Sequence, residues 1–159
     1  LLCPFLDGRA RVLGVLRRSP VVGIRVMARA IQDRLGSHNL IKVTDEPGKL
    51  AAMAFPGEAE GFAASTDEAS PWRNEVSPGA FATVALHRPV AKGRRLTMPV
   101  WVGMGEHDIT VSAKAIEKFV DKAPQAELQR YDMAHFEPFH GTGPAVVAAD
   151  QAEWLGRTF

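Results

Sequence analysis

The last third of the chain alternates between short apolar segments and amphipathic segments. Residues 99–104 form an apolar run bounded by proline and glycine, which is typical of a buried strand. Ser112 is placed to cap a following helix, residues 126–131 alternate as a second strand, and a Gly-Pro pair at residues 143–144 opens a final helix. This order predicts a β-α-β unit with two parallel strands and a right-handed crossover.

The first third of the chain predicts two helices. An Asp-Gly pair can cap a basic helix over residues 9–18, and Ser19 with Pro20 can begin the second helix. Apolar residues then recur at spacings of three and four before a glycine that can end the helix. This stripe consists of Ile24, Met27, Ile31 and Leu35, and the glycine is Gly36. We interpret the stripe as core of a helical layer or as the apolar wall of a substrate pocket.

The segment between these two regions is irregular. Residues 40–43 predict a short strand, and repeated Pro-Gly pairs interrupt the chain afterwards. Ser70 predicts the start of a new helix, which the Pro-Gly pair at residues 78–79 interrupts. We therefore divide the chain into the end of a preceding strand with its linker (1–8), a mainly helical region (9–96) and the β-α-β region (97–159).

Composition and charge narrow the function classes. The chain has 159 residues, of which 46% are hydrophobic and 23% charged, as in a soluble globular domain. A net charge of +1 predicts no nucleic-acid partner, and no apolar run approaches the roughly 20 residues that span a membrane. Residues 1–35 carry a net charge of +5 through seven arginines and two aspartates. We interpret these arginines as a solvated face rather than an anion-binding patch.

Cysteine use bears on location and on chemistry. Cys3 is the only cysteine, so an internal disulfide is impossible, and no secretory signal is recognisable. Both observations favour a cytoplasmic location. A nucleophilic role for Cys3 would need surroundings that lower its pKa, and nothing in the sequence indicates such surroundings.

Two candidate catalytic residues follow the predicted strands. Asp108 comes shortly after the first strand, and His135 comes shortly after the second. Loops at the carboxyl ends of neighbouring parallel strands lie close together and line the ligand crevice. We therefore expect a carboxylate oxygen of Asp108 about 2.6–3.2 Å from a ring nitrogen of His135. An aspartate in that position orients the imidazole and stabilises its charged form.

Motifs around these residues resemble the α/β-hydrolases, and most closely the bacterial branch grouped with S15-type peptidases and small esterases. The resemblance rests on the run from residue 98 to Asp108, on Ala-His-Phe-Glu around His135 and on Asp-Gln-Ala-Glu-Trp-Leu near the end. Three further segments resemble the lid of that branch and the stretch leading into it: residues 55–62, 70–75 and 3–8. The resemblance implies an α/β fold, the C-terminal portion of the hydrolase fold with a helical lid. It also implies that Asp108 and His135 are the acid and histidine of a catalytic triad.

The nucleophile of that triad is missing from the sequence. The family places it in Gly-x-Ser-x-Gly on a sharp turn between a strand and a helix, with the oxyanion hole beside it. None of the serines lies in such a setting: Ser19, Ser37, Ser65, Ser70, Ser77 and Ser112. We therefore expect a C-terminal segment of a serine hydrolase, acting on a small ester or amide substrate, that is inactive by itself.

Other interpretations remain open. Asp108 could be a capping aspartate and His135 an ordinary loop histidine. His107 and His140 suggest a metal site together with them, but Pro138 breaks the spacing, so we expect no metal and no cofactor. The chain could also be a catalytically dead remnant or interaction module, or could complement a partner that carries the serine. With only two predicted strands, it could also form a homo-oligomer or need a missing N-terminal half.

Overall fold

The computed structural model describes residues 1–67 and 69–159. These residues form two compact units, one of Leu1–Asp7 with Arg88–Phe159 and the other of Gly8–His87. The fold is α/β, as the sequence predicts. In chain order the helices and strands are α1 (Gly8–Arg18), α2 (Pro20–Arg34), β1 (Lys42–Thr44), β2 (Ala51–Met53), α3 (Glu58–Ala64), β3 (Val100–Gly105), α4 (Ala113–Val120), β4 (Ala126–Tyr131) and α5 (Gly143–Thr158). Short 3₁₀ helices cover Pro78–Leu86, Pro89–Ala91, Gly93–Arg95 and Glu137–Phe139.

The sheet of the first unit is parallel. Strands β3 and β4 pair from Val100 opposite Ala126 to Gly105 opposite Tyr131, with α4 between them in the chain. This confirms the predicted β-α-β unit. A parallel bridge also joins the first residues of the chain to the other edge of β3, because Leu2 lies opposite Gly103. The N-terminal segment, β3 and β4 therefore lie side by side, which places their carboxyl ends at one edge.

Helices cover both faces of this sheet. Alternate residues of a strand point to opposite faces, so Trp101 and Val102 belong to different clusters. On one side the core contains Val102 and Met104 of β3 with Ala115, Ile116 and Phe119 of α4. On the other side it contains Trp101 and Tyr131 of the strands with Val147 and Trp154 of α5. Burial on both faces explains why β3 is a continuous apolar run instead of an alternating one.

The second unit is built around two helices and a short parallel pair. Strands β1 and β2 pair with Lys42 opposite Ala51 and Thr44 opposite Met53. The Asn74 side chain accepts hydrogen bonds from the backbone N–H of Thr44 and of the residue before it, both at 2.9 Å, and donates to the Thr44 carbonyl at 2.8 Å. One side chain therefore satisfies three backbone groups at the edge of this pair.

Two sequence-based expectations for this unit are wrong. The helix expected from Ser70 does not form, because residues 71–77 are extended or bent and Val76 pairs with Ile41. These long-range backbone bonds, together with those of Asn74, replace the local helical bonds. The Pro-Gly pair at residues 78–79 then begins a 3₁₀ helix, whereas we expected it to interrupt a helix.

The apolar stripe of α2 does not form the core of this unit. Ile24, Ile31 and Leu35 are 63%, 52% and 83% exposed, whereas the buried residues of the helix are Val22 and Ala30. The small residue Gly23 explains the difference, because a β-carbon there would lie 2.9 Å from the Leu16 side chain of α1. The helices pack through the face that carries these smaller residues, so the larger ones stay outside. The predicted helix itself is confirmed, and Gly36 follows its end with φ +99°.

Candidate active site

Asp108 occupies the loop that follows β3, and three hydrogen bonds hold its carboxylate. One oxygen, Oδ1, accepts the backbone N–H of Thr110 at 2.8 Å and of Val111 at 2.9 Å. The other, Oδ2, lies 2.7 Å from Nδ1 of His135. The side chain is only 1% exposed, so water does not compete for these bonds. The local turn therefore anchors one oxygen and leaves the other for the imidazole.

His135 occupies the loop that follows β4. A carboxylate can only accept a hydrogen bond, so Nδ1 of His135 carries the proton in its contact with Asp108. The imidazole also packs edge-on against Phe136, with ring centroids 4.7 Å apart. Its side chain is 18% exposed, so the ring is partly accessible. This geometry fixes the tautomer with the proton on Nδ1.

The two loops are locked together by their backbones. Glu106 donates its N–H to the Tyr131 carbonyl at 2.8 Å, and His107 donates its N–H to the Met133 carbonyl at 3.1 Å. The residue before His135, Ala134, donates its N–H to the carboxylate of Glu137, and Glu137 is the first residue of the 3₁₀ helix Glu137–Phe139. The approach of Asp108 to His135 is therefore built into the backbone at the carboxyl edge of the sheet.

The surroundings shift the pKa of His135. Burial lowers this pKa, but the hydrogen bond to Asp108 and the nearby sulfur of Cys3 raise it, and the net effect moves it from 6.5 to about 9. The negative charge of the Asp108 carboxylate adds to the effect. Asp108 and Cys3 therefore stabilise the imidazolium form of His135. The acid of a catalytic triad is expected to stabilise its histidine in the same way.

Cys3, for which the sequence indicates no role, lies beside Asp108 and His135 in the structure. It is 6% exposed, and its sulfur lies within 4.8 Å of a carboxylate oxygen of Asp108 and a ring nitrogen of His135. In the sequence, the only indication of a role for Cys3 is its position near the end of a possible strand. If that strand is parallel to β3, the loop that follows it begins at the same edge of the sheet as the loops of Asp108 and His135. That signal becomes usable only when the pairing of Leu2 with Gly103 is known.

The other histidines near Asp108 in the sequence are arranged differently. His107 pairs through Nε2 with Asp132 at 2.5 Å, and the two side chains are 67% and 87% exposed. His140 follows the 3₁₀ helix Glu137–Phe139 and is not part of the cluster of possible metal ligands found among residues 1–67 and 69–159. The metal set considered from the sequence, which combined these histidines with Asp108 and His135, is therefore not assembled.

This arrangement suits proton transfer. An imidazole held by a buried carboxylate through one nitrogen can accept a proton at the other, and can return it to a leaving group. The exposed pair of His107 and Asp132 has the same residue types, but its carboxylate lacks the burial and the backbone hydrogen bonds of Asp108.

In residues 1–67 and 69–159, none of the helices combines the length and the apolar character that a membrane-spanning helix needs.

Comparisons with known proteins bear on the fold. No family model and no curated protein sequence matches the chain. Among solved structures, the chain is similar to DcsB in complex with its substrate analogue, with a TM-score of 0.68 and 14% identity over 99% of this chain and 55% of the other. It is also similar to a monoacylglycerol lipase of Paleococcus ferrophilus, with a TM-score of 0.59 and 14% identity over 86% of this chain and 52% of the other.

A third similar structure is a soluble variant of monoglyceride lipase from Saccharomyces cerevisiae in complex with a substrate analogue. The TM-score is 0.58, with 14% identity over 91% of this chain and 51% of the other. The chain thus spans about half the length of each solved structure named here. At this level of identity the likeness concerns the fold, and the fold of this chain is similar to that of α/β-hydrolases.

Proposed function

We propose that Asp108 and His135 are the acid and the base of a site that hydrolyses an ester or amide by acyl transfer to a serine. The contact between Oδ2 of Asp108 and Nδ1 of His135 at 2.7 Å carries this proposal. The carboxylate is buried and anchored by two backbone N–H groups, which distinguishes it from a surface ion pair. Burial and anchoring are what orient an imidazole for repeated proton transfer.

The reaction uses the second nitrogen of the imidazole, Nε2. In its neutral form, whose population grows as the pH approaches the pKa of about 9, His135 accepts the hydroxyl proton of the serine at Nε2 while Oγ attacks the substrate carbonyl carbon and forms a tetrahedral oxyanion. The imidazolium then donates that proton to the leaving group as its bond to the carbonyl carbon breaks. A water repeats both steps on the acyl-enzyme and releases the acid. Throughout, Asp108 holds Nδ1–H and stabilises the imidazolium.

The serine and the oxyanion hole are supplied from outside the 159 residues in this proposal. None of the six serines lies in Gly-x-Ser-x-Gly. The nucleophilic serine and the oxyanion hole would come from a preceding part of the same protein or from a partner chain. We assign the helical region predicted over residues 9–96 to the lid, which would select the acyl group.

An ester is the favoured substrate class. Two of the solved structures with the same fold are named as a monoacylglycerol lipase and a monoglyceride lipase, and both names denote ester hydrolysis. The shared fold supports the same reaction type here but leaves the acyl chain and alcohol open. A panel of p-nitrophenyl esters of increasing chain length therefore suits the first assay, with a p-nitroanilide series beside it.

The test uses the protein encoded by the complete reading frame around this sequence. His135→Ala and Asp108→Asn should each lower kcat on the best ester by on the order of 10⁴-fold. His107→Ala and Asp132→Asn are the matched controls, because they alter an exposed pair of the same residue types, and they should change kcat less than about twofold. Full activity of His135→Ala, or a reading frame that encodes no nucleophilic serine, would refute the proposal that the protein is a hydrolase. The alternative, a catalytically dead remnant or interaction module, would then be favoured.

A further inference from the structure

A third reactive group, which the proposed hydrolysis does not use, lies beside the acid and the base. The sulfur of Cys3, an oxygen of Asp108 and a ring nitrogen of His135 all lie within 4.8 Å of one another. The three residues come from three segments that end at the same edge of the sheet: the N-terminal segment, the loop after β3 and the loop after β4. A thiol, a carboxylate and an imidazole are the three side chains that most often bind zinc.

We propose that Cys3, Asp108 and His135 form a binding site for a thiophilic divalent cation, Zn²⁺, with the fourth coordination position open to water. The donor set of one sulfur, one nitrogen and one oxygen matches the preferences of this borderline-soft ion. Magnesium and calcium prefer sites made wholly of oxygen, so they bind this set poorly.

The spacing of the three atoms suits the ion after small side-chain movements. Zinc binds nitrogen and oxygen at about 2.0–2.2 Å and sulfur at about 2.3 Å, so its ligands lie roughly 3.3–3.7 Å apart in a tetrahedral site. Oδ2 of Asp108 and Nδ1 of His135 begin closer than this, at 2.7 Å, and no two of the three residues' ligand atoms are more than 4.8 Å apart. Side-chain rotations that widen the contact between Asp108 and His135 are therefore needed to admit the ion.

The ligands are held in place before an ion arrives. Cys3 donates its N–H to the Gly103 carbonyl at 2.9 Å, and its backbone has φ +41°, an uncommon conformation for a residue other than glycine. Asp108 keeps Oδ1 bonded to two backbone N–H groups, which leaves Oδ2 for the ion. Such outer hydrogen bonds orient ligands and strengthen metal binding.

Occupancy by zinc would oppose the proposed hydrolysis. The ion takes Oδ2 of Asp108 and a nitrogen of His135, so the imidazole loses its orienting partner and cannot relay a proton to a leaving group. The site would act as an inhibitory one in the complete enzyme. The ligand set itself does not depend on catalysis, so metal binding is expected even if the protein is not a hydrolase.

Cobalt(II) titration of the reduced 159-residue chain provides a readout that needs no turnover. Co²⁺ replaces Zn²⁺ in such sites, and a bound thiolate gives a sulfur-to-cobalt charge-transfer band in the near ultraviolet. Cys3 is the only cysteine, so the band identifies its source. We expect a band that saturates at one equivalent of Co²⁺ and disappears when one equivalent of Zn²⁺ is added. Absence of the band in the folded wild-type chain overturns the proposal.

Zinc affinity of single variants separates the built site from adventitious binding. Cys3→Ser, Asp108→Asn and His135→Gln should each weaken Zn²⁺ binding in calorimetry by about 100-fold or more. His107→Gln is the matched control and should bind as wild type, because His107 lies in the exposed pair with Asp132. Equal affinity of wild type and Cys3→Ser overturns the site. The binding measurement involves no substrate, so the absence of a zinc site would leave the hydrolase proposal intact. In the same way, a complete protein without hydrolase activity would leave the zinc-binding result intact.

Discussion

Gly105, the last residue of β3, lies against Met133 so closely that a β-carbon at Gly105 would be 2.4 Å from the Met133 carbonyl oxygen. No flexible side chain can yield there, because the neighbouring atom belongs to the backbone. Gly105→Ala must therefore push away the loop that carries His135. We expect a loss of about 1–3 kcal/mol in the free energy of unfolding, measured by urea denaturation. The pKa of His135 should fall at the same time, because its contact with Asp108 lengthens.

Gly156→Ala in α5 is the matched control for this substitution. A β-carbon at Gly156 meets no atom within 4 Å, and the residue lies in a helix where alanine is favoured. This variant should be as stable as wild type or more stable, by up to about 1 kcal/mol. If both variants unfold alike, the tight contact between the two loops is not a constraint in solution.

The proton on His135 can be followed directly. Its burial opposes the charge, but its bond to Asp108 and the nearby sulfur of Cys3 raise the pKa to about 9. NMR titration of the imidazole resonances should show that value in the isolated chain. Asp108→Asn removes the carboxylate but leaves the burial and the Cys3 sulfur, so the pKa should fall clearly below 9. Asp132→Asn alters only the exposed pair with His107 and should leave the pKa of His135 near 9. A wild-type value near 6.5 would contradict the contact.

The same pKa shift predicts a dependence of stability on pH. The pKa of His135 is higher in the folded chain than the 6.5 of the unfolded chain, so the folded state binds the proton more tightly. The resulting stabilisation is complete below about pH 6.5 and is lost as the pH rises to about 9. At 1.36 kcal/mol per pKa unit it amounts to roughly 3 kcal/mol. Between pH 6.5 and 9, wild type should lose more stability than Asp108→Asn, which keeps only the contribution of Cys3 to the shift, as measured by urea denaturation. Parallel pH curves for the two proteins would contradict it.

Sequence patterns predict the part of the fold that holds Asp108 and His135. The apolar run of β3, the alternation of β4 and the capping serine of α4 are local signals, and the structure has all three, with Ser112 Oγ accepting the N–H of Ala115 at 3.2 Å. The parallel order of the strands then follows from the helix between them. Their carboxyl ends therefore meet at one edge, which is why two residues 27 positions apart could be placed together from the sequence.

Other features depend on contacts that no local pattern reports. The spacing of Ile24, Ile31 and Leu35 predicts a helix, but the same spacing fits either face, and Gly23 decides which face packs. Cys3 joins the site only because Leu2 pairs with Gly103, about a hundred residues away along the chain. The chemistry of a lone cysteine could not be judged before that pairing was known.

The isolated chain should show no serine-hydrolase turnover. Without Gly-x-Ser-x-Gly, no serine sits on the sharp turn that exposes a nucleophile beside an oxyanion hole. Folded wild-type chain should therefore hydrolyse p-nitrophenyl esters no faster than a denatured sample, and a fluorophosphonate probe should label none of its serines. Covalent labelling of any serine, detected by mass spectrometry, would show that the chain carries its own nucleophile.

The second unit contains an ion pair whose burial makes it sensitive to the loss of one partner. Glu58 is 2% exposed, its Oε1 lies 3.2 Å from the Arg11 guanidinium, and its Oε2 accepts the N–H of Phe55 at 2.8 Å. Arg11 also lies over the Phe55 ring, 5.0 Å from its centroid. Arg11→Met keeps much of the volume but removes the guanidinium that lies 3.2 Å from this buried carboxylate. The free energy of unfolding should fall by about 3–5 kcal/mol, measured by urea denaturation.

The double variant and an exposed pair show whether burial causes this cost. Arg11→Met with Glu58→Gln removes both charges and can keep the bond to the Phe55 N–H, so part of the lost stability should return. Arg130 and Glu117 form a pair at 2.7 Å whose side chains are 46% and 42% exposed, and Arg130→Met should cost less than about 1 kcal/mol because water screens that pair. If Arg130→Met and Arg11→Met lower the free energy of unfolding by the same amount, the carboxylate of Glu58 is hydrated in solution. The burial of Glu58 near Phe55 would then be contradicted.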